Sequence, residues 1–143
     1  MKIELSEEKK KQLVEEALKA RKFAYAPYSG FCVGAALLTE KGSIYRGCNI
    51  ENAAYTPTNC AERTAVFKAV SEGERSFAAL AVCGGKGRKQ PEGFCTPCGV
   101  CRQVLREFVD PKDFLILLCR GDGSWKEITL EELLPMGFGK ELL

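Results

Sequence analysis

Apolar positions fall along this chain in runs of two periods, and their order predicts the elements of the fold. From about Ser6 to Phe23 the spacing is helical, with Leu13, Ala17 and Ala20 on one side and Lys9, Lys10, Glu16 and Lys19 outward. Phe31 to Thr39 is a strand-like apolar tract. Ser43 to Cys48 alternates enough to be its partner across the hairpin signal Glu40-Lys41-Gly42. Ala61 to Glu72 is helical and stops at Gly73, a residue suited to helix ends. Phe77 to Val82 reads as a buried strand, and the glycine-rich stretch Gly84 to Gly93 as a loop. Thr96 is a good N-cap and Pro97 suits a first helical position, which predicts a helix from Pro97 to about Phe108. Phe114 to Cys119 and Trp125 to Thr129 are strands joined by the turn Gly121-Asp122-Gly123-Ser124. Leu130 to Leu134 is a short helix ended by Pro135.

Apolar strands separated by helices imply right-handed crossovers and helices on both faces of a mixed sheet, an α/β fold. With no repeat and no linker, residues 1–143 form one domain by length. A net charge of +2 with 28% charged residues lacks the basic excess of a nucleic-acid-binding domain. The short basic segment Lys86 to Lys89 reads as a solvated loop. The opening residues Met1 to Glu8 lack a leader's apolar stretch, and no run approaches the roughly 18 apolar residues of a membrane span. The expectation is a cytoplasmic protein with neither membrane nor nucleic acid as partner.

Eight cysteines and no histidine narrow the chemistry. With nothing to export the chain, reduced thiols and a metal fit better than disulfides. The lack of histidine excludes Ser-His-Asp and Cys-His nucleophile pairs. Cys60, Cys98 and Cys101 would sit near the starts of two helices, whose dipoles favour thiolates. Three thiolates can hold zinc and leave one of its four positions open, as catalytic zinc requires. That cluster carries a charge of −1, and Arg63 is the candidate to offset it. On spacing alone a structural four-cysteine zinc fits Cys98 and Cys101 equally well, with Cys48, Cys83, Cys95 or Cys119 as fourth ligand. Cys95, Cys98 and Cys101 also open like an iron–sulfur run, but no further cysteine follows before Cys119. Glu62 is placed to move protons beside Cys60. It also lies three residues after Asn59, as the Glu of a capping box would.

The pattern Cys60-x-Glu62, then Pro97-Cys98-x-x-Cys101, is similar to the three-cysteine signature of the zinc nucleobase deaminases. Around it the chain resembles the free-nucleoside cytidine deaminases. The matching stretches are Ala26-Pro27-Tyr28-Ser29 with Phe31, Val33 to Leu37, Gly47 to Ala53, Cys60 to Ala65, Pro97 to Gln103, and Leu133-Leu134-Pro135 with Phe138. They keep the family's order from about Leu13 to Leu142. Cys95 departs from it, standing where an aliphatic residue is usual.

The resemblance implies a three-layer α/β/α fold around a five-stranded mixed sheet. It implies one zinc per subunit, held by Cys60, Cys98 and Cys101. Asn49 and Glu51 would hold the ribose hydroxyls, and Phe31 and Ala61 would line the substrate. Phe138 would reach a neighbour's site within a homotetramer. The implied reaction is hydrolytic deamination of cytidine and deoxycytidine to uridine and deoxyuridine, with release of ammonia, in pyrimidine salvage. There Glu62 takes a proton from the zinc-activated water and passes protons to ring nitrogen 3 and the departing amino group. Zinc can bring a bound water's pKa from 15.7 to about 7, worth roughly 12 kcal/mol. Two alternatives remain. One is a blasticidin S-type deaminase, less similar around Cys48 to Asn52; the other is a non-catalytic zinc module. Without the resemblance, Asn49 and Glu51 are an ordinary polar loop, Phe31 is a core aromatic, and the tail from Met136 packs equally well on its own subunit.

Overall fold

Ser6 opens the first helix, α1 (Glu7–Arg21), by accepting a hydrogen bond from Lys9 N at 3.1 Å. Glu7 and Glu8 in its first turn and Lys19 and Arg21 in its last complement the helix dipole. This computed structural model describes residues 5–143. The first four residues, part of the stretch expected to lack a leader, lie outside the described residues. The elements that follow are β1 (Phe31–Thr39), β2 (Ile44–Cys48), α2 (Ala61–Ser71), β3 (Phe77–Lys86), α3 (Gly99–Phe108), β4 (Leu115–Cys119), β5 (Trp125–Thr129) and α4 (Leu130–Leu133). A capping box of Thr129 and Glu132 starts α4.

The five strands form one sheet in the order β2-β1-β3-β4-β5. Only β3 and β4 are parallel, and α3 makes the crossover between them; the other pairs are antiparallel. Alternating side chains divide the core into two layers. Ala36, Leu38, Ala79, Ala81 and Leu117 face Leu13, Val14 and Ala17 of α1. Ala35, Leu37, Leu80, Val82, Ile116 and Leu118 face Ala61, Ala65 and Val66 of α2 and Leu105 of α3. This is the expected three-layer arrangement. Among the described residues no helix is long and apolar enough to cross a membrane.

One glycine brings the second helix down onto the sheet. A Cβ at Gly47 of β2 would lie 2.3 Å from Ala61 O and 2.6 Å from Ala65 N, so the first turn of α2 rests directly on the strand.

Two expected boundaries move. β3 runs on through Gly84 and Gly85 to Lys86, where the sequence predicts a loop. The start of β1 offers it a partner, with Phe31, Cys32 and Val33 opposite Lys86, Gly85 and Gly84. The helix α3 begins at Gly99, two residues later than predicted. Its N-cap is Cys98, whose sulfur accepts from Cys101 N at 3.5 Å, in place of Thr96.

Candidate active site

Both helices that cover the α2–α3 face begin at a cysteine. Cys60 is the N-cap of α2 in extended conformation, and its sulfur makes no capping bond. Cys98 caps α3, and Cys101 lies in the first turn behind it. Arg102 braces that turn, donating to Pro97 O at 2.7 Å and to Leu133 O at 2.6 Å. The three sulfurs therefore meet, with Cys60 to Cys98 at 3.8 Å and Cys98 to Cys101 at 3.5 Å. Ligands at about 2.3 Å in a tetrahedron around zinc stand roughly 3.8 Å apart, so the donor set fits that ion. All three sulfurs lie within 4.8 Å of one another, and among the described residues no fourth donor joins them. That count removes the four-cysteine and iron–sulfur alternatives. Cys48, Cys83, Cys95 and Cys119 are free thiols elsewhere, and burial pushes Cys95 up to about 12. Cys98 is exposed, Cys60 half-buried and Cys101 buried, so the cluster reaches from the surface into the core.

One cation faces the thiols. Arg63 Nη2 donates to Cys60 Sγ at 3.3 Å. A hydrogen bond from Cys101, aided by Arg63 and Cys98, holds the Cys60 thiol down to about 5 against its burial. Glu62 is 4% exposed, and burial pushes its carboxyl up to about 7. The capping-box reading of Glu62 fails, because the N-cap is Cys60 and Asn59 turns its amide to Thr64 Oγ1 at 3.1 Å. Glu62 is left as a buried carboxyl in the helix turn that also carries Cys60 and Arg63. Ala61 is wholly buried between them.

A second cluster holds the segment 28–33. Ile50 bridges Tyr25 on one side and Asn59 on the other, so Asn49 and Glu51 flank it on one face of an extended chain. Asn49 Nδ2 donates to Phe31 O at 2.8 Å and its Oδ1 accepts from Val33 N at 2.9 Å. Glu51 Oε1 accepts from Tyr28 N at 2.9 Å and Ser29 N at 3.1 Å, while Oε2 accepts from Ser29 Oγ. The Ser29 hydroxyl holds the Glu51 carboxyl below its usual range. Each amide end and the carboxylate keep further bonding capacity, so both side chains can still take a hydroxyl. Tyr28 and Ser29 lie in a stretch that matches the family but had no role in the sequence reading; the hydrogen bonds that give them one run between residues 22 and 23 positions apart.

Phe31 is 37% exposed and not a core aromatic. It lines a cavity of about 460 Å³ with Gly84, Lys86, Phe94 and Cys95. Cys95 links the two clusters, lying near Phe31 and close enough to Glu62 and Cys60 to feel both charges. Phe138 is placed apart, on the outer face of α3. Its carbonyl accepts from Gln103 Nε2 at 2.9 Å and its side chain is exposed.

Residues 7–117 match the sequence model of the cytidine and deoxycytidylate deaminase zinc-binding region. The chain is 55% identical over 130 residues to the cytidine deaminase of Sporosarcina psychrophila, covering 91% of each chain. To that of Halalkalibacterium halodurans it is 52% identical, covering 92% of this chain and 96% of the relative. The crystal structure of a cytidine deaminase from Burkholderia pseudomallei superposes with a TM-score of 0.81 at 43% identity, over 94% of this chain and all of that one. A zinc-fitting trio of thiols beside a buried carboxyl thus stands where fold and sequence agree: the chain belongs to the zinc-dependent cytidine deaminase family.

Proposed function

We propose that residues 1–143 act as one hydrolase unit converting cytidine and deoxycytidine, with water, to uridine and deoxyuridine and ammonia. The observation that carries the reading is a donor set of three thiols, one fewer than a structural zinc site uses, beside the buried carboxyl of Glu62. The relatives named cytidine deaminase, at 55% and 52% identity, favour this substrate over an antibiotic nucleoside.

Cys60, Cys98 and Cys101 would hold one zinc per subunit, which would supply Lewis-acid activation of water there. Glu62 moves the protons: its carboxylate accepts one from the water, and the carboxylic acid so formed donates to ring nitrogen 3. A second transfer delivers a proton to the amino group that leaves as ammonia. Burial in a raised-pKa environment suits a carboxyl that must be both acceptor and donor near neutral pH. Arg63 offsets the negative charge of the thiolates. Asn49 and Glu51 hold the ribose hydroxyls, and Phe31 and Ala61 line the site. Four subunits assemble, with Phe138 of one completing the site of another, and the enzyme works in the cytoplasm in pyrimidine salvage.

The deciding assay adds cytidine to zinc-loaded protein. Loss of the cytosine ultraviolet band with stoichiometric release of ammonia is expected. A zinc-loaded protein that leaves cytidine unchanged would sink the reading.

A further inference from the structure

Apart from Cys95, which stands outside the thiol trio, the segment 84–95 carries none of the residues that the sequence marks for chemistry, yet it is tied to the end of α1 in both directions. Arg21, buried in the last turn of α1, donates from Nε to Cys32 O at 2.8 Å. Its Nη2 donates to Gly85 O and Gly87 O, both at 3.0 Å. Arg88 returns the contact. Its Nη1 donates to Lys22 O at 3.1 Å and its Nη2 to Ala24 O at 3.2 Å. Carbonyls at a helix C-terminus carry the negative end of its dipole, which favours a guanidinium there. A planar guanidinium can span two carbonyls at once, and an ammonium cannot match that geometry. Arg88 is therefore no solvated loop residue, as its basic neighbours suggest from sequence.

What the two arginines hold together is the surround of Phe31. Cys32, whose carbonyl Arg21 takes, is the next residue. A Cβ at Gly84 would come within 3.0 Å of Phe31 Cε2 and 2.8 Å of Cys95 Sγ, so the end of β3 lies directly against that ring. Gly87 N donates to Gly30 O at 2.6 Å, closing the same corner. The segment then forms the remaining wall of the cavity beside Phe31. Its volume lies within the range of small-molecule sites.

We propose that Arg21 and Arg88 are positioning residues for substrate binding: by clasping the end of α1 to the 84–95 segment, they set the width of the cavity beside Phe31. The proposal rests on reading Phe31 as a substrate contact. The hydrogen bonds of both guanidiniums end on main-chain carbonyls, not on Glu62 or a thiol, so the clasp acts on binding and leaves proton transfer alone.

Arg88 is exposed, so Arg88→Ala should fold and hold zinc as the wild type does. In the zinc-loaded protein, KM for cytidine should rise about tenfold with kcat within about twofold, the scale of one charge-assisted hydrogen bond. Amide hydrogen exchange should quicken in 84–95 and stay unchanged in 60–71. Arg88→Lys, with one cation and no fork, should recover part of the KM. An active wild type with an Arg88→Ala variant of unchanged KM overturns the proposal alone, as does a loss confined to kcat. A wild type that does not deaminate cytidine overturns the functional reading and the proposal with it.

Discussion

Arg63 sets its guanidinium against the sulfur of Cys60 one turn back on the same helix, at 3.3 Å. Its Nε is buried and, among the described residues, has no hydrogen-bond partner. A buried donor without a partner costs about 1–3 kcal/mol. A cation held there at that cost points to an electrostatic task.

Removing the cation should leave the thiolates more negative and the zinc a poorer Lewis acid. Arg63→Ala is expected to keep its zinc and lower kcat about tenfold, the scale seen when partners of metal ligands are lost. KM should change less. Normal turnover at normal zinc content would make Arg63 a helix residue and nothing more.

Glu62 and the thiols should separate cleanly in mutants. Glu62→Gln keeps the shape of a buried side chain, so about one zinc per chain should remain while activity drops some 10²–10⁴-fold, the usual worth of a general acid–base group. Cys98→Ala removes a donor and the cap of α3 together. It should lose the metal and lower the melting temperature. Metal analysis beside the ultraviolet assay distinguishes the two patterns, and a zinc-free Glu62→Gln protein would contradict the division.

Asn49 and Glu51 predict a sugar requirement. A site built to bond a hydroxyl rejects ligands that lack it by about 10⁴-fold or more, so free cytosine should be a very poor substrate beside cytidine. Because Ser29 holds the Glu51 carboxyl below its usual range, Glu51→Gln should raise KM for cytidine by the same factor at about pH 8 and pH 5, both above the ordinary carboxylate range. Glu51's contribution is present above its pKa and lost only as pH falls through that lowered value. Comparable kinetics on base and nucleoside would show that the sugar goes unread.

For the tail, contacts within its own subunit leave the Phe138 side chain uncovered. It docks on its own α3, where Gln103 Nε2 donates to the main-chain oxygen of Phe138 and Arg106 pairs with the Glu141 carboxylate. The Phe138 residue remains 52% exposed, available to another chain. Light scattering should therefore give a tetramer, and a chain ending at Leu134 should lose affinity and turnover. A fully active monomer, or a truncated chain with unchanged constants, would defeat the assembly.

The elements legible in the sequence were those whose signals are local. The apolar period of Leu13, Ala17 and Ala20 and the turn at Gly42 each act within a few residues. The cysteine spacing marked the metal cluster for the same reason, since each helix start carries its own ligand. β3 was cut short because Gly84 and Gly85 carry no strand preference; their pairing comes from β1, some fifty residues away. Thr96 and Pro97 gave a sound local signal that the sulfur of Cys98 overrode. Arg21 showed nothing and Arg88 only a solvated basic loop, because all but one of their hydrogen bonds end on carbonyls 64 to 66 positions distant.

Gly47 touches neither thiol nor carboxyl in any hydrogen bond, and it belongs to an edge strand. Yet a single methyl there would have to share space with the first turn of α2, the turn that carries Cys60, Glu62 and Arg63. The tolerance of the chemistry is thus set by one absent carbon atom on the sheet. A survey of residues by proximity to a bound nucleoside would pass over this position, whereas a library of random substitutions selected for growth on cytidine would return it as invariant.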